Sequence, residues 1–196
     1  MKHPNTPTPR ILTFHTSNEG KVREIRALLE CTGIRVDQGS IHLPEIQADT
    51  LQDVAKAKLD AVPALDPLAM VEDSGLFVDS LRGFPGVYSA YALKTIGCSG
   101  LLHLMRESGR RAHFEAVIGL RDGPAIMFFK GTIEGQIAPS PRGVGGFGYD
   151  PIFIPDGSNL TFGEMSQSDK NSMSHRGRAL RELSAYLLRK PSGPPF

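Results

Sequence analysis

Cysteine is scarce in this sequence of 196 residues, which has only Cys31 and Cys98, far apart along the chain. That scarcity argues against a disulfide framework or a cysteine zinc site and fits a reducing cytoplasm. The chain also lacks any apolar run near the roughly 20 residues that span a bilayer, and its first residues lack the apolar segment of a secretory signal. The net charge is only +1, so no charge excess points to a nucleic-acid polymer or a membrane as a partner.

The composition is that of an ordinary globular protein, with 40% hydrophobic and 22% charged residues. A chain of this length can bury a sizeable core within one domain. We expect a single two-lobed domain over residues 11–190, preceded by a disordered lead at residues 1–10 and followed by a tail at residues 191–196.

Short apolar runs alternate with helical patterns through the first half of the chain, and a hairpin follows in the second half. Strands are predicted at residues 11–14, 34–36, 68–71, 112–121 and 125–137, and helices at residues 16–30, 50–62, 99–108 and from about 174. The last two strands are separated by Asp122-Gly123-Pro124, a hairpin signal. The order of elements predicts an α/β fold with a mixed sheet.

The segment "TSNEGK", residues 16–21, leaves the first predicted strand and opens the first predicted helix, where Ser17 or Asn18 can act as the cap. Backbone N–H groups at such a helix start are unpaired and lie at the positive end of the helix dipole, so they can bind an anion. Lys21 adds a point charge. The segment lacks the GxxxxGK[ST] pattern of the P-loop, so a plain helix cap with a solvated lysine remains an alternative interpretation.

Glu72 and Asp73 stand side by side where the third predicted strand ends, before a loop rich in glycine and proline. Because neighbouring side chains of an extended backbone point to opposite faces, one carboxylate can face a site while the other is held by hydrogen bonds. Carboxylates at the carboxyl ends of strands lie where α/β folds bind ligands, and Mg²⁺ prefers oxygen ligands. The alternative interpretation is a turn, since Asp-Ser-Gly is common turn chemistry.

Two further segments add candidate ligand-binding residues. "HLPEIQ" places Glu45 in a loop, and Lys56 and Lys58 lie on the helix that follows; alone, these residues are typical of a solvated surface. "GVGGFGYDP", residues 143–151, has glycines that allow close approach of the backbone to a ligand. Its aromatic residues offer flat faces on which a base can stack.

The last candidate segment is "SDKNSMSHRGRAL", in which Ser174 can cap the final predicted helix. His175 and Arg176 then lie in the first turn, where cations oppose the helix dipole unless they serve a ligand. The chain thus holds an anion-binding loop, carboxylates for a metal ion, lysines, an aromatic glycine loop and an Arg/His pair. A nucleoside triphosphate with Mg²⁺ would use all of them.

Six segments of this chain resemble, in the same order, the inosine triphosphate pyrophosphatase family, also called XTP/dITP diphosphatases. They are "TSNEGKVREI", "LPEIQ", "VEDSGL", "FPGVYSA", "GGFGYDPIF" and "SDKNSMSHRGRAL". The resemblance implies a Mg²⁺-dependent catalytic domain that hydrolyses non-standard purine triphosphates (ITP, dITP, XTP) to the monophosphate and pyrophosphate, cleansing the nucleotide pool. It also implies an elongated mixed β-sheet flanked by helices, two lobes around a central nucleotide cleft, and a homodimer, which we expect in the cytoplasm.

The resemblance implies roles for individual residues. Glu45 and Asp73 correspond to metal-binding positions, and Asp73 also to the general base, with the neighbouring Glu72 as the alternative base. The residues implied to contact the substrate are Thr16, Ser17, Asn18, Glu19, Gly20, Lys21, Lys58, Ser74, Phe147, Gly148, Tyr149, Asp150, Lys170, His175 and Arg176. Lys58 matches the spacing of the family's helix lysine, with Lys56 as the alternative.

One departure from the family and two rival functions remain open. Where bacterial relatives place an arginine after "YSA", this chain has Tyr91, and Lys94 is the nearest cation, so one phosphate contact is missing or relocated. The rivals are a pyrophosphatase for pyrimidine or methylated nucleotides, as in the similarly folded septum-inhibitor (Maf) family, and a non-catalytic purine nucleotide-binding protein. "SHR" and "GGFGYDP" favour a purine, and Glu45, Asp73 and Lys21 favour a catalyst, since binding alone does not need a water-activating carboxylate.

Overall fold

The computed structural model describes residues 10–105 and 109–189. The predicted tail and all of the predicted lead except Arg10 lie outside the described residues, and Arg10 itself begins the first strand. The strands are β1 (Arg10–His15), β2 (Ile34–Gly39), β3 (Leu68–Val78), β4 (Arg111–Asp122), β5 (Ala125–Ile137) and β6 (Phe153–Pro155). The helices are α1 (Glu19–Leu29), α2 (Leu51–Asp60), α3 (Ser89–Thr95), α4 (Gly97–Leu104), α5 (Gln167–Met173) and α6 (His175–Arg189).

The strands form one mixed sheet in the order β2-β1-β3-β4-β5-β6. β1 is parallel to β2 and β3, whereas the pairs β3-β4, β4-β5 and β5-β6 are antiparallel. The predicted hairpin is β4-β5, which turns at Gly123 with φ +60°, a conformation that glycine adopts without strain. The predicted α/β fold with a mixed sheet is therefore confirmed.

Helix starts follow the predicted caps. Asn18 caps α1 by accepting a hydrogen bond from the backbone N–H of Lys21, and Thr50 caps α2 in the same way through Asp53. The third predicted helix is α4, which begins at Gly97, and residues 106–108 at its predicted end lie outside the described residues. The short elements α3, α5 and β6 were not predicted. In the described part of the chain, no helix combines the length and apolar character needed to cross a membrane.

The third strand does not end before the Glu72–Asp73 pair, as predicted, because β3 continues through both residues. All 11 of its residues pair with β4, so long-range hydrogen bonding overrides the local turn signal. On its other edge, β1 pairs with β3 no further than Met70. The two carboxylates therefore lie in the middle of a strand, just where the neighbouring strand has ended.

A loop segment covers the same edge of β3 further along. The backbone N–H of Leu76 donates to Ser89 Oγ (2.8 Å), and this hydroxyl donates in turn to the carbonyl of Gly86 (2.6 Å). The carbonyl of Gly86 also lies so close to Gly75 that an added β-carbon there would be 2.3 Å from it. Between Met70, where the pairing with β1 ends, and Gly75, where the Gly86 segment approaches, the edge of β3 has no strand partner among the described residues, and this opening positions the site.

Side chains alternate between the two faces of β3. Met70 packs in a hydrophobic cluster with residues of α1 and α6, whereas Val71 packs in another with residues of α2. By the same alternation, Glu72 faces α1 and α6 and Asp73 faces α2. Their partners agree, since Glu72 pairs with Arg176 and Asp73 with Lys58. The prediction that these neighbouring carboxylates point to opposite faces is confirmed.

Candidate active site

A cavity of about 390 Å³ opens at the free edge of β3. The predicted site residues that line it are Thr16, Ser17, Asn18, Lys21, Glu45, Lys58, Asp73, Ser74, Phe147, Gly148, Tyr149, Asp150, Lys170, His175 and Arg176. Two predicted residues do not line it. Glu19 borders a neighbouring hollow beside Gln38, and Gly20 lies beneath the ring of Phe147. The structure therefore gathers side chains from both ends of the chain around one hollow.

One end of the cavity is formed by the start of α1. Thr16 Oγ1 accepts a hydrogen bond from the N–H of Asn18 (3.1 Å), and Asn18 Oδ1 accepts one from the N–H of Lys21 (3.1 Å). A helix start of this kind offers backbone N–H groups to an anion at the positive end of the helix dipole, although the cap takes the N–H of Lys21. Lys21 extends its ammonium to the carbonyl of Glu72 (3.3 Å), so its charge also lies at this end.

Glu72 is buried at the floor of the cavity between two cations. Its carboxylate contacts Lys21 Nζ at 2.5 Å and Arg176 Nη2 at 3.0 Å. Burial alone would raise the pKa of Glu72, but the charges of Arg176 and Lys21 lower it to about 2. Glu72 therefore stays ionised and already paired, which suits it to hold the two cations rather than to accept a proton.

Asp73 faces the other side and forms a buried ion pair with Lys58, with 2.8 Å between Oδ1 and Nζ. Burial raises the pKa of Asp73 above its ordinary value although Lys21 and Lys58 oppose the shift. Glu45 Oε1 lies 2.9 Å from the same ammonium. The sequence did not decide whether Lys56 or Lys58 lies in the site. In the structure Lys58 lines the cavity, whereas Lys56 is exposed and pairs with Asp60 on the outer face of α2.

Glu45 and Asp73 are chemically suited to Mg²⁺. Their oxygens converge on one ammonium position, and carboxylate oxygens are the protein ligands that this hard cation takes alongside phosphates and water. In the described part of the chain, no group of three His, Cys, Asp or Glu side chains is placed to hold a metal ion alone. The residues present fit a metal ion that takes its remaining ligands from elsewhere.

Another wall of the cavity is built around Phe147. A β-carbon on Gly20 would lie 2.6 Å from the ring, so only a glycine in α1 leaves room for it. Lys170 Nζ lies 4.8 Å from the ring centroid and Arg176 Cζ lies 5.4 Å from it, within the range of cation–π attraction. The ring is half-buried and faces the cavity, where a flat base can stack on it.

Asp150 and Tyr149 hold this aromatic loop in place. Asp150 Oδ2 accepts hydrogen bonds from the N–H of Phe147 (2.7 Å) and from Lys170 Nζ (2.6 Å). Burial raises the pKa of Asp150, while Lys170 opposes the shift. Tyr149 is buried, and its hydroxyl donates to the carbonyl of Ser89 (3.1 Å). Both side chains are thus tied to the protein, and the half-buried ring of Phe147 is left facing the cavity.

His175 and Arg176 enter from the first turn of α6. The imidazole of His175 stacks on Phe114 with ring centroids 4.6 Å apart, and burial together with Arg176 lowers its pKa well below the ordinary value, so it is neutral. Arg176 is almost fully buried, and its guanidinium donates to Glu24, Glu72 and Ser74. The unfavourable charge in this first turn is therefore compensated by buried carboxylates.

Sequence reasoning missed Glu24, which is buried in α1 and pairs with both Arg176 and Lys170. A signal was present, because Glu24 is three residues after Lys21 and so lies on the same helix face. Ser89 was also missed, although it lines the cavity and anchors the loop over β3. No local pattern marks Ser89, because its partners come from other elements. Tyr91 and Lys94 are exposed on α3 and do not line the cavity.

Comparison with known proteins identifies a family that matches this chain. A family model described as the Ham1 family matches residues 12–186. Three curated relatives carry the name dITP/XTP pyrophosphatase. The relative from Thermococcus kodakarensis is 53% identical over 90% of this chain and 96% of its own. Those from Pyrococcus horikoshii and Hyperthermus butylicus are 49% and 47% identical, over 89% and 95% of this chain and 95% and 98% of their own.

Solved structures agree with the sequence comparison. A HAM1 protein from Coxiella burnetii superposes with a TM-score of 0.79 at 30% identity, covering 92% of this chain and 100% of its own. The Ham1 protein of Staphylococcus aureus superposes with a TM-score of 0.78 at 31% identity, covering 91% of this chain and 98% of its own.

Proposed function

The chain belongs to the Ham1 family, and we propose that it is a nucleoside triphosphate pyrophosphatase that removes non-standard purine nucleotides from the nucleotide pool. Its substrates are dITP, XTP and ITP, which it hydrolyses to the monophosphate and pyrophosphate. The relatives named dITP/XTP pyrophosphatase match nearly the whole chain and nearly all of their own length, so the proposal concerns the whole matched region.

The observation that carries the proposal is the combination, around one cavity, of positive charge with a flat aromatic face. Lys21, Lys58 and the start of α1 supply the positive charge, and Phe147 supplies the flat face. A triphosphate fits beside the cationic groups and a base against the ring. The cavity volume of about 390 Å³ is in the range of pockets that take small organic ligands.

Asp73 is the residue we assign as general base. Its raised pKa makes it a better proton acceptor than Glu72, whose pKa is about 2 and whose oxygens contact two cations. Asp73 takes a proton from a water molecule as the water oxygen attacks the α-phosphorus. The bond from that phosphorus to the α–β bridging oxygen breaks, and the electron pair leaves with pyrophosphate.

Charge that develops on the phosphates is met by fixed groups of the protein. Lys21 and Lys58 stabilise the departing pyrophosphate, and Glu72 holds Lys21 in place at 2.5 Å. Glu45 and Asp73 would hold Mg²⁺, which when bound neutralises phosphate charge. The contribution of the protein is mainly positioning and electrostatics, as is usual for this class of reaction.

Purine selection follows from the hydrogen-bond donors near the Phe147 ring. Hypoxanthine and xanthine present an acceptor, O6, where adenine presents an amino donor. We assign Arg176 as the donor to O6, because its Nη2 reaches Ser74 at the cavity wall (3.2 Å). An adenine amino group would face this donor with no acceptor, and such a mismatch of buried polar groups can discriminate by about 10⁴-fold.

The test is pyrophosphate release from a panel of nucleotides at varied Mg²⁺ concentrations. We expect kcat/KM for dITP and XTP far above that for dATP, and loss of activity when EDTA removes Mg²⁺. Preference for pyrimidine or methylated nucleotides would favour the Maf-like alternative. Binding of dITP with no turnover would favour a non-catalytic nucleotide-binding protein. Equal kcat/KM for dITP and dATP would contradict the recognition scheme.

We further infer a cytoplasmic homodimer as the working form. The aromatic side chains of Phe84, Tyr88 and Tyr91 are 39%, 43% and 71% exposed, and they supply apolar surface that a second copy can cover. Sedimentation equilibrium should give twice the chain mass of 21.3 kDa. A mass equal to that of one chain at micromolar concentration would contradict the dimer.

A further inference from the structure

The Lys58 ammonium stands between the two carboxylates that the proposed function assigns to Mg²⁺. Nζ lies 2.8 Å from Asp73 Oδ1 and 2.9 Å from Glu45 Oε1. The Lys58 side chain is only 6% exposed, whereas that of Glu45 is 73% exposed and projects from an irregular loop. The ion pair with Lys58 therefore helps to hold Glu45 beside Asp73, and one ammonium compensates both carboxylates.

We propose that Lys58 is a placeholder cation, which occupies the metal position in the free protein and gives it up only when the nucleotide arrives. This inference rests on the proposed function, because it concerns the same metal and the same substrate. In the metal-free protein, Lys58 keeps the two carboxylates together and their charge compensated. A metal ion that arrives alone must displace a buried ammonium from both of its partners, which costs the metal much of its binding energy.

The charge balance of the cavity supports this order of events. Among the described residues, the cationic side chains that line the cavity equal its carboxylates in number: Lys21, Lys58, Lys170 and Arg176 against Glu45, Glu72, Asp73 and Asp150. A divalent cation added alone would leave an excess of positive charge. The negative charge of a triphosphate changes that balance, so the metal ion and the nucleotide are accommodated together.

Ligand number leads to the same conclusion. Mg²⁺ is usually held by one or two carboxylates with phosphate and water oxygens as its other ligands. Glu45 and Asp73 supply the carboxylates, and the nucleotide supplies the phosphates. The displaced Lys58 ammonium, on its flexible stem, can then contact a phosphate oxygen. By linkage, the nucleotide raises the affinity for the metal ion by the same factor by which the metal ion raises the affinity for the nucleotide.

The experiment measures binding of Mn²⁺ as a spectroscopic probe, by electron paramagnetic resonance, without nucleotide. The variants are Lys58→Met, which keeps the length of the side chain without its charge, and Lys56→Met as the matched control on the exposed face of α2. We expect Lys58→Met to bind Mn²⁺ about tenfold more tightly than the unmodified protein, within the usual range of coupling between sites. Lys56→Met should match the unmodified protein.

Unchanged or weaker Mn²⁺ binding by Lys58→Met would overturn the placeholder role, and so would equal tightening in both variants, which would indicate a general charge effect. Circular dichroism checks that each variant is folded. A second measurement needs no variant: a non-hydrolysable α,β-methylene analogue of dITP should raise the Mn²⁺ affinity of the unmodified protein by about tenfold or more. If the analogue binds and that affinity does not change, the inference is wrong.

Failure of this inference is distinct from failure of the proposed function. Absence of turnover with every nucleotide of the panel would contradict the pyrophosphatase activity, whereas the Mn²⁺ affinity of Lys58→Met would still report on Lys58 alone. Conversely, normal turnover of dITP by the unmodified protein, together with an unchanged Mn²⁺ affinity in Lys58→Met, would leave the activity standing and remove the placeholder role.

Discussion

The ring of Phe147 lies directly over Gly20, so closely that a β-carbon at position 20 would be 2.6 Å from ring atom Cδ1. The two residues are far apart in the sequence. Gly20 is in the first turn of α1, and Phe147 is an aromatic residue that lines the cavity. This contact therefore seats the aromatic ring directly against the start of α1.

Gly20→Ala should weaken substrate binding without weakening the fold. The added methyl group displaces the Phe147 ring, and loss of base stacking, worth roughly 1–3 kcal/mol, should raise KM for dITP about tenfold. Alanine is favoured over glycine inside a helix by about 0.5–1 kcal/mol, so the free energy of unfolding should not fall. Steady-state kinetics and urea unfolding measure both effects.

The control for Gly20→Ala is Gly109→Ala, because an added β-carbon at Gly109 meets nothing within 4 Å. That variant should keep the KM of the unmodified protein. An unchanged KM in Gly20→Ala would show that the position of Phe147 does not govern nucleotide binding.

Glu72 should make the protein more stable at neutral than at acidic pH. Its pKa is about 2 in the folded state and near 4.5 when unperturbed. Because the folded-state pKa is the lower one, the stabilisation is complete above pH 4.5 and is lost as the pH falls from about 4.5 to about 2. A shift of this size corresponds to roughly 3 kcal/mol.

Glu72→Gln isolates this contribution. We expect the variant to be less stable than the unmodified protein at pH 7, with a difference that shrinks as the pH falls below about 4.5. Urea unfolding at a series of pH values measures it. Asp37→Asn, which removes an exposed ion pair with Arg35, should change stability little at any pH. A difference between Glu72→Gln and the unmodified protein that is constant with pH would contradict the role of the buried carboxylate.

Ser89→Ala should loosen the loop that covers the edge of β3. Removal of the hydroxyl leaves the buried N–H of Leu76 without its acceptor, at a cost of about 1–3 kcal/mol. Hydrogen exchange of the Leu76 amide should accelerate accordingly. Ser99→Ala, at an exposed position of α4, serves as the control and should leave this amide protected. If the Leu76 amide exchanges equally slowly in both variants, Ser89 does not anchor the loop.

Local signals were sufficient for much of the fold. The alternation of apolar runs with helical spacing predicted β1 and α1, and the capping residues Asn18 and Thr50 start their helices where the pattern placed them. The hairpin β4-β5 follows from the glycine turn at Gly123. Each of these features depends on residues that are close together in the sequence.

Features that depend on distant partners could not be predicted in the same way. β3 runs through Asp73 and Ser74 because β4 pairs with it, although the local sequence is typical of a turn. Glu24 is buried because Arg176 and Lys170, more than 140 residues away, compensate its charge. The motifs identified most residues of the cavity, but the pairing that compensates each charge is visible only in the structure.

Asp73 is the central residue of the proposed mechanism, and kcat of Asp73→Asn for dITP is the measurement that tests its role as general base. Asparagine keeps the shape of the side chain but cannot take a proton from water, so kcat should fall by at least about 10²-fold. Unfolding curves should show that the variant is folded, and Asp37→Asn should retain full activity. A folded Asp73→Asn variant with the kcat of the unmodified protein would contradict the proposed mechanism.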